Sequence, residues 1–201
     1  MKKIGIMGGT FDPPHNGHIY IADKAYKKLA LDKVIFMPAG TPPHKTHKKI
    51  TDEKHRYEMV KAAISDYNYF EVSDYEIKKK GLSYTFLTLK HLKDEYGDCE
   101  LFFIAGADSL VQLEKWRNVQ EILDTASLVI FTRPGYLKED VHEAREKTEE
   151  KYGHSVILLD LEAQDISSSE IREALRKGHD ADKYLSPAVI RYIEGKGLYK
   201  D

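Results

Sequence analysis

Six short apolar runs recur along the chain, at Lys3–Met7, Lys33–Met37, Tyr69–Ser73, Glu100–Ala105, Leu128–Thr132 and Ser155–Asp160. They are rich in Ile, Val and Phe and nearly apolar throughout, the pattern of strands covered on both faces. Amphipathic stretches between them predict helices over Gly17–Leu31, Asp52–Ser65, Thr85–Tyr96, Val119–Thr125 and Lys138–Tyr152. Met59, Val60, Ala63 and Ile64, for example, fall on one helix face. Two more helices are predicted near Ser168–Lys177 and Pro187–Gly195; Ser186-Pro187 supplies an N-cap and a first-turn proline for the second. Lys78-Lys79-Lys80-Gly81 reads as a solvated turn.

Strand and helix alternate, which implies an α/β fold: a doubly wound parallel sheet of five or six strands with helices on both faces. Residues 1–201 read as one domain, with a small C-terminal helical part from about residue 166 packed onto it. In such sheets ligands bind beyond the carboxyl ends of the strands, where strand order reverses. The loops leaving the strands are therefore where chemistry belongs.

Composition narrows the function classes. The chain carries 31 Lys and Arg against 33 Asp and Glu, a formal net charge of −2. That balance argues against a protein that coats nucleic acid or an anionic membrane. Cys99 is the one cysteine, so an intramolecular disulfide and a Cys-rich metal site are both excluded. The opening Met1-Lys2-Lys3-Ile4 runs into a strand without a signal-peptide core, and no apolar run nears the roughly 20 residues of a membrane span. The expectation is a cytoplasmic protein; the sequence leaves room for a homo-oligomer.

The most informative loop follows the first strand and reads Gly8-Gly9-Thr10-Phe11-Asp12-Pro13-Pro14-His15-Asn16-Gly17-His18. Adjacent glycines let backbone approach a bulky ligand, and Pro13-Pro14 stiffens the loop and delays the helix. That helix starts near Asn16 or Gly17 and turns its positive end toward the strand exit, where a phosphate is favoured. His15 and His18 are three residues apart and lie on one side of its first turn. The glycine spacing does not fit G-x-G-x-x-G, and no G-K-[ST] follows, so hydride-transfer and P-loop chemistry lose support. Taken singly, a glycine pair is a turn and each histidine a surface residue; two histidines at this spacing are also half a zinc site, but no further ligand set follows.

Taken together, the eleven residues resemble the signature G-x-F-[DNQ]-P-x-H-x-G-H of the nucleotidyltransferase superfamily, whose Rossmann-like sheet matches the architecture read from periodicity. The resemblance implies that His18 stabilises the transition state of attack on the α-phosphorus of ATP and that His15 also contacts the phosphates. Ile166-Ser167-Ser168-Ser169-Glu170-Ile171-Arg172 precedes a predicted helix. On its own it is capping chemistry. It also resembles the superfamily's second signature, I-S-S-T-x-I-R, with Ser169 in place of the threonine, which assigns Ser168, Ser169 and Arg172 to the triphosphate.

Three further segments narrow the choice: Pro38-Ala39-Gly40-Thr41-Pro42-Pro43-His44-Lys45, Ser83-Tyr84-Thr85-Phe86, and Gly106-Ala107-Asp108-Ser109-Leu110 with Trp116 shortly after. Each alone has a bland reading as a loop, a cap, a turn or a packed aromatic. Their combination, with Arg133-Pro134-Gly135 and Gly197-Leu198-Tyr199, resembles the bacterial nicotinate-nucleotide adenylyltransferase family over essentially the whole chain. That resemblance implies transfer of AMP from ATP to nicotinate mononucleotide, with nicotinate adenine dinucleotide and pyrophosphate as products. It assigns Gly8, Gly9, Thr10, Phe11, Gly106 and Asp108 to ATP, and His44 and Lys45 to the substrate, with Lys45 neutralising phosphate charge. It sets Trp116 on the pyridine ring with Tyr84 and Thr85 at its carboxylate. Arg133 has two readings, a substrate contact or a structural end to the fifth strand. Mg2+ is expected mainly on the ATP phosphates, with no protein ligand assigned. The rival readings are a related adenylyltransferase acting on nicotinamide mononucleotide or phosphopantetheine, and a nucleotide-binding regulator without turnover.

Overall fold

The computed structural model describes residues 1–41, 50–131, 138–161 and 166–200. Its sheet contains strands β1 (Lys2–Gly9), β2 (Lys33–Pro38), β3 (Phe70–Val72), β4 (Cys99–Gly106), β5 (Ser127–Phe131) and β6 (Val156–Leu159). The order is β3-β2-β1-β4-β5-β6, and every neighbouring pair is parallel. Strand order reverses between β1 and β4, which makes the carboxyl end of that pair the expected ligand crevice.

Register opens this crevice. Met7 lies between Phe36 on β2 and Ile104 on β4, the last β1–β4 pair. Gly8 and Gly9 then pair only with Met37 and Pro38 of β2. The β1 backbone thus turns an uncovered edge toward the space above β4.

Alternate strand residues feed two separate cores. One face sets Val34, Phe36, Ile104 and Val129 against α1 (Asn16–Lys28), α2 (Glu53–Ala63), α8 (Ser168–Arg176) and α9 (Pro187–Lys196). The other sets Ile4, Ile6, Ile35 and Ile130 against α4 (Thr85–Tyr96), α6 (Val119–Thr125) and α7 (Lys138–Tyr152). Each fully buried aliphatic or aromatic side chain contributes about 1.5–3 kcal/mol, so sandwiching the sheet makes its central strands the rigid part of the molecule.

The six predicted strands and seven predicted helices are all present, with ends shifted by a few residues. The predicted helix ending at Leu31 stops at Lys28, because Ala30 takes φ 49° and sends Leu31 under the sheet, where its Cδ1 occupies the place of a side chain on Gly5. Two elements are additional: the four-residue α3 (Tyr75–Lys78), and the short α5 (Ala107–Val111) followed by a 3-10 turn at Leu113–Lys115. The segment Gly106–Leu110, which on its own reads as a turn, is therefore a helix start with Gly106 at its N-cap. Lys78 belongs to α3, and the solvated turn begins after it, where Lys80 and Gly81 take positive φ. The final residue of the predicted strand Leu128–Thr132 lies outside the described residues.

Candidate active site

The first loop and α1 form one unit. His15 takes the N-cap position of α1, where Ser, Thr, Asp or Asn would ordinarily stand. Its backbone N–H donates to Nδ1 of His18 at 3.1 Å, so the imidazole occupies the place of the Glu or Gln in a capping box. An Nδ1 that accepts puts the neutral ring's proton on Nε2. In the neutral form the His18 donor is thus Nε2–H, and the ring lies 3.7 Å from that of His15. Both line the same cleft.

Phe11 stabilises this arrangement from below. It is buried, adopts φ 52°, and meets the His18 ring edge-on at 5.0 Å. A left-handed aromatic residue costs on the order of 1–3 kcal/mol and persists only where its surroundings enforce it. Its ring also explains Gly9: a Cβ there would meet the Phe11 ring at 2.8 Å.

Two guanidinium groups supply the enforcement. Arg56 of α2 is 1% exposed and donates to four carbonyls, those of Thr51, Thr10, Ala39 and Gly40, at 2.6–3.1 Å. It ties the exit of β1 to the exit of β2. Burial pulls its pKa down, against the pull of nearby Asp12 and Glu53, but a guanidinium stays charged at any relevant pH. Arg172 of α8 donates to the carbonyl of Asp12 at 2.6 Å and to the Ser169 hydroxyl at 3.2 Å. Ser168 donates to the carbonyl of Pro13 at 2.9 Å. Ser167, the N-cap of α8, accepts from the Glu170 N–H. The second signature is thus both a helix cap and a clamp on the first, with Arg172 still on the cleft wall.

Across the cleft, α4 begins at Tyr84, an N-cap without a side-chain hydrogen bond. The first-turn N–H groups of Thr85 and Phe86 have no acceptor within the helix. Trp116 follows the 3-10 turn and packs edge-on against Phe103 at 6.0 Å, while the Arg117 guanidinium lies 5.3 Å from the centre of the Tyr84 ring. Beneath this wall Glu76 is buried and accepts from the Thr88 hydroxyl at 2.6 Å. Burial pushes its carboxyl pKa up, opposed by Thr88, Ser83, Lys79 and Arg56.

The cleft has a volume of 570 Å³, which suits a small nucleotide ligand. Gly8, Gly9, Thr10, Phe11, His15 and His18 line one side of it. Gly106, Asp108, Ser168, Ser169 and Arg172 line it too, as do Tyr84, Thr85 and Trp116. His44, Lys45 and Arg133 lie outside the described residues. Lys115, Arg117 and Glu76 also line the cleft and were not singled out from sequence. The first two flank Trp116 and were legible as cations beside an aromatic; Glu76 and the buried Arg56 carry no local signal. Among the described residues no cluster of three or more His, Cys, Asp or Glu could hold a metal ion. Among them, too, no helix is long and apolar enough to cross a membrane.

The comparisons agree with this geometry. Residues 6–174 match the model of the cytidylyltransferase-like family. A Clostridium perfringens (strain 13) protein named "Probable nicotinate-nucleotide adenylyltransferase" is 51% identical, covering 100% of this chain and 99% of its own length. A protein of the same name from Clostridium botulinum (strain Alaska E43) is also 51% identical, over the whole of both chains. The solved nicotinic acid mononucleotide adenylyltransferase of Plasmodium falciparum complexed with NaAD shares the fold, with a TM-score of 0.80, 22% identity, and coverage of 99% of this chain and 98% of that one. The chain belongs to the cytidylyltransferase-like nucleotidyltransferases and, within them, to the nicotinate-nucleotide adenylyltransferases.

Proposed function

We infer that the chain transfers AMP from ATP to nicotinate mononucleotide, forming nicotinate adenine dinucleotide and releasing pyrophosphate. One observation carries this reading: the histidine pair, Arg172, the uncapped start of α4 and Trp116 all face a single cleft at the strand-order reversal.

An oxygen of the mononucleotide phosphate attacks the α-phosphorus in line, the new P–O bond forms, and the bond to the pyrophosphate oxygen breaks. The attacking group is already an anion, so the site needs no general base. It needs alignment and positive charge around the α-phosphorus and the leaving group. The His18 Nε2–H and His15 suit the α-phosphate oxygens. Arg172 and the α8 start, with Ser168 and Ser169, suit the pyrophosphate end. Gly8 to Phe11 would lie along ATP, with Gly106 and Asp108 at its nucleoside. The α4 start takes the pyridine carboxylate through Tyr84 and Thr85, and Trp116 stacks on the ring. His44, Lys45 and Arg133 keep their proposed places at the substrate from the family resemblance alone.

Mg2+ would enter with the triphosphate and offset charge on the leaving pyrophosphate; no side chain is assigned to it, in keeping with an ion that retains several waters. We further propose that residues 1–201 act as one domain in the cytoplasm, with no nucleic-acid or membrane partner. The single cysteine and balanced charge support this. The test is product analysis with ATP and nicotinate, nicotinamide or pantetheine phosphate acceptors. Dinucleotide and pyrophosphate in equal amounts from the nicotinate form are expected; turnover with none of them would defeat the reading.

A further inference from the structure

Tyr199 follows α9, far in sequence from the catalytic loop, yet its hydroxyl donates to Oδ1 of Asp12 at 2.6 Å. The other carboxylate oxygen of Asp12 accepts the Thr51 N–H at 3.3 Å. The Thr51 carbonyl accepts from Nε of Arg56 at 2.9 Å, and Nη1 of the same Arg56 donates to the Thr10 carbonyl at 2.7 Å. A chain of hydrogen bonds from Asp12 through Thr51 and Arg56 to Thr10 therefore ties together the residues on either side of Phe11, and Tyr199 joins it at Asp12. Phe11 is held between them at φ 52°, with its ring edge-on to His18. Tyr199 itself adopts φ 61° to make the contact. Burial, and next the Asp12 charge, push the Tyr199 phenol above its ordinary pKa, so it stays a donor.

We propose that Tyr199 is a positioning residue for His18, acting through Asp12 and the constrained Phe11. Among the described residues, two of the three anchors on Asp12 come from the C-terminal segment: the Tyr199 hydroxyl on the side chain and Arg172 on the carbonyl. The third, Thr51, precedes α2. Without the hydroxyl, a buried carboxylate loses its shortest hydrogen bond and the loop can relax out of its constrained conformation. Small misplacements of an aligned group reduce the chemical step far more than ground-state binding. The mere filling of space by the ring makes no such demand.

The proposal rests on the adenylyl-transfer reading above, and the experiment separates the two. Tyr199→Phe keeps the ring and removes only the donor. Its kcat should fall about tenfold, with KM for ATP and for nicotinate mononucleotide within about twofold of wild type. A kcat within about twofold of wild type overturns the proposal, as does a loss confined to KM. Tyr199→Phe combined with Asp12→Asn leaves no buried charge without its donor, which keeps the fold testable if the single variant is unstable. The double variant should match the kcat of Asp12→Asn alone; a further tenfold loss overturns the route through Asp12. The nitrogen shifts of the His18 imidazole in ligand-free protein should differ between wild type and Tyr199→Phe, whatever the substrate. Unchanged shifts overturn the proposal. An inactive wild type defeats the adenylyl-transfer reading, while an active wild type matched by Tyr199→Phe defeats only the role of Tyr199.

Discussion

The two ends of the cleft are built on opposite plans. At the histidine end, Thr10, Asp12 and Pro13 each have a backbone carbonyl held by a side chain, and Phe11 is forced into a left-handed conformation. At the Trp116 end, α4 starts without a side-chain cap, and Tyr84, Thr85 and Trp116 are half-buried, as His18 and Arg172 are. The difference suits the two tasks proposed for them. Stabilising charge in a transition state requires donors that do not move, because any reorganisation subtracts from their effect. Receiving a flat ring and a carboxylate requires open N–H groups and an apolar face, which must stay exposed until the ligand arrives.

The comparison is broken most severely at its rigid end. His18→Ala should lower kcat about a hundredfold or more while nucleotide affinity changes far less, as steady-state kinetics and ATP binding would show. Turnover within a few fold of wild type would remove His18 from the chemistry. The next largest effect sharpens the open end. Nicotinate mononucleotide should exceed the nicotinamide form in kcat/KM by about tenfold or more, since an amide leaves donors unpaired at about 1–3 kcal/mol each. Equal use of both would remove the α4 start as an acid-selective element.

Arg172→Ala tests the dual role of its guanidinium. Its kcat should fall about tenfold. Because the Asp12 carbonyl also loses its donor, about 1 kcal/mol of stability should go with it, seen as a Tm lower by about 2–4 °C. A lower Tm with unchanged kcat would leave only the clamp. The smallest effect is expected of Trp116→Ala, which should weaken both mononucleotides by about fivefold and leave their ratio unchanged, because stacking does not distinguish acid from amide. A changed ratio would show that the ring also orients the carboxylate.

Much of the site was legible because it sits in short contiguous strings. Gly8 to His18 and Ser167 to Arg172 each carry a local physical reason, a strand exit or a helix start, in addition to their family pattern. The short α5 was missed because Gly106-Ala107-Asp108 has the composition of a turn, and only its packing through Ala107 and Leu110 makes it helical. Arg56 was invisible for another reason. A lone arginine in an amphipathic helix reads as a solvated charge, and nothing local says that Thr10, Ala39, Gly40 and Thr51 will turn four carbonyls toward it.

The amino-acid sequence by itself determined the strand–helix alternation, the parallel sheet and the two signature segments that line the cleft, because periodicity, caps and glycine pairs act over a few neighbouring residues. Only the tertiary structure decided the six-strand order and the register that ends at Met7–Ile104 and opens the crevice. It also decided the convergence of Arg56, Arg172 and Tyr199 on one loop. Those contacts join residues more than 45 positions apart in the chain. Each forms only when the packed sheet brings its partners together, and no local preference of the backbone encodes them.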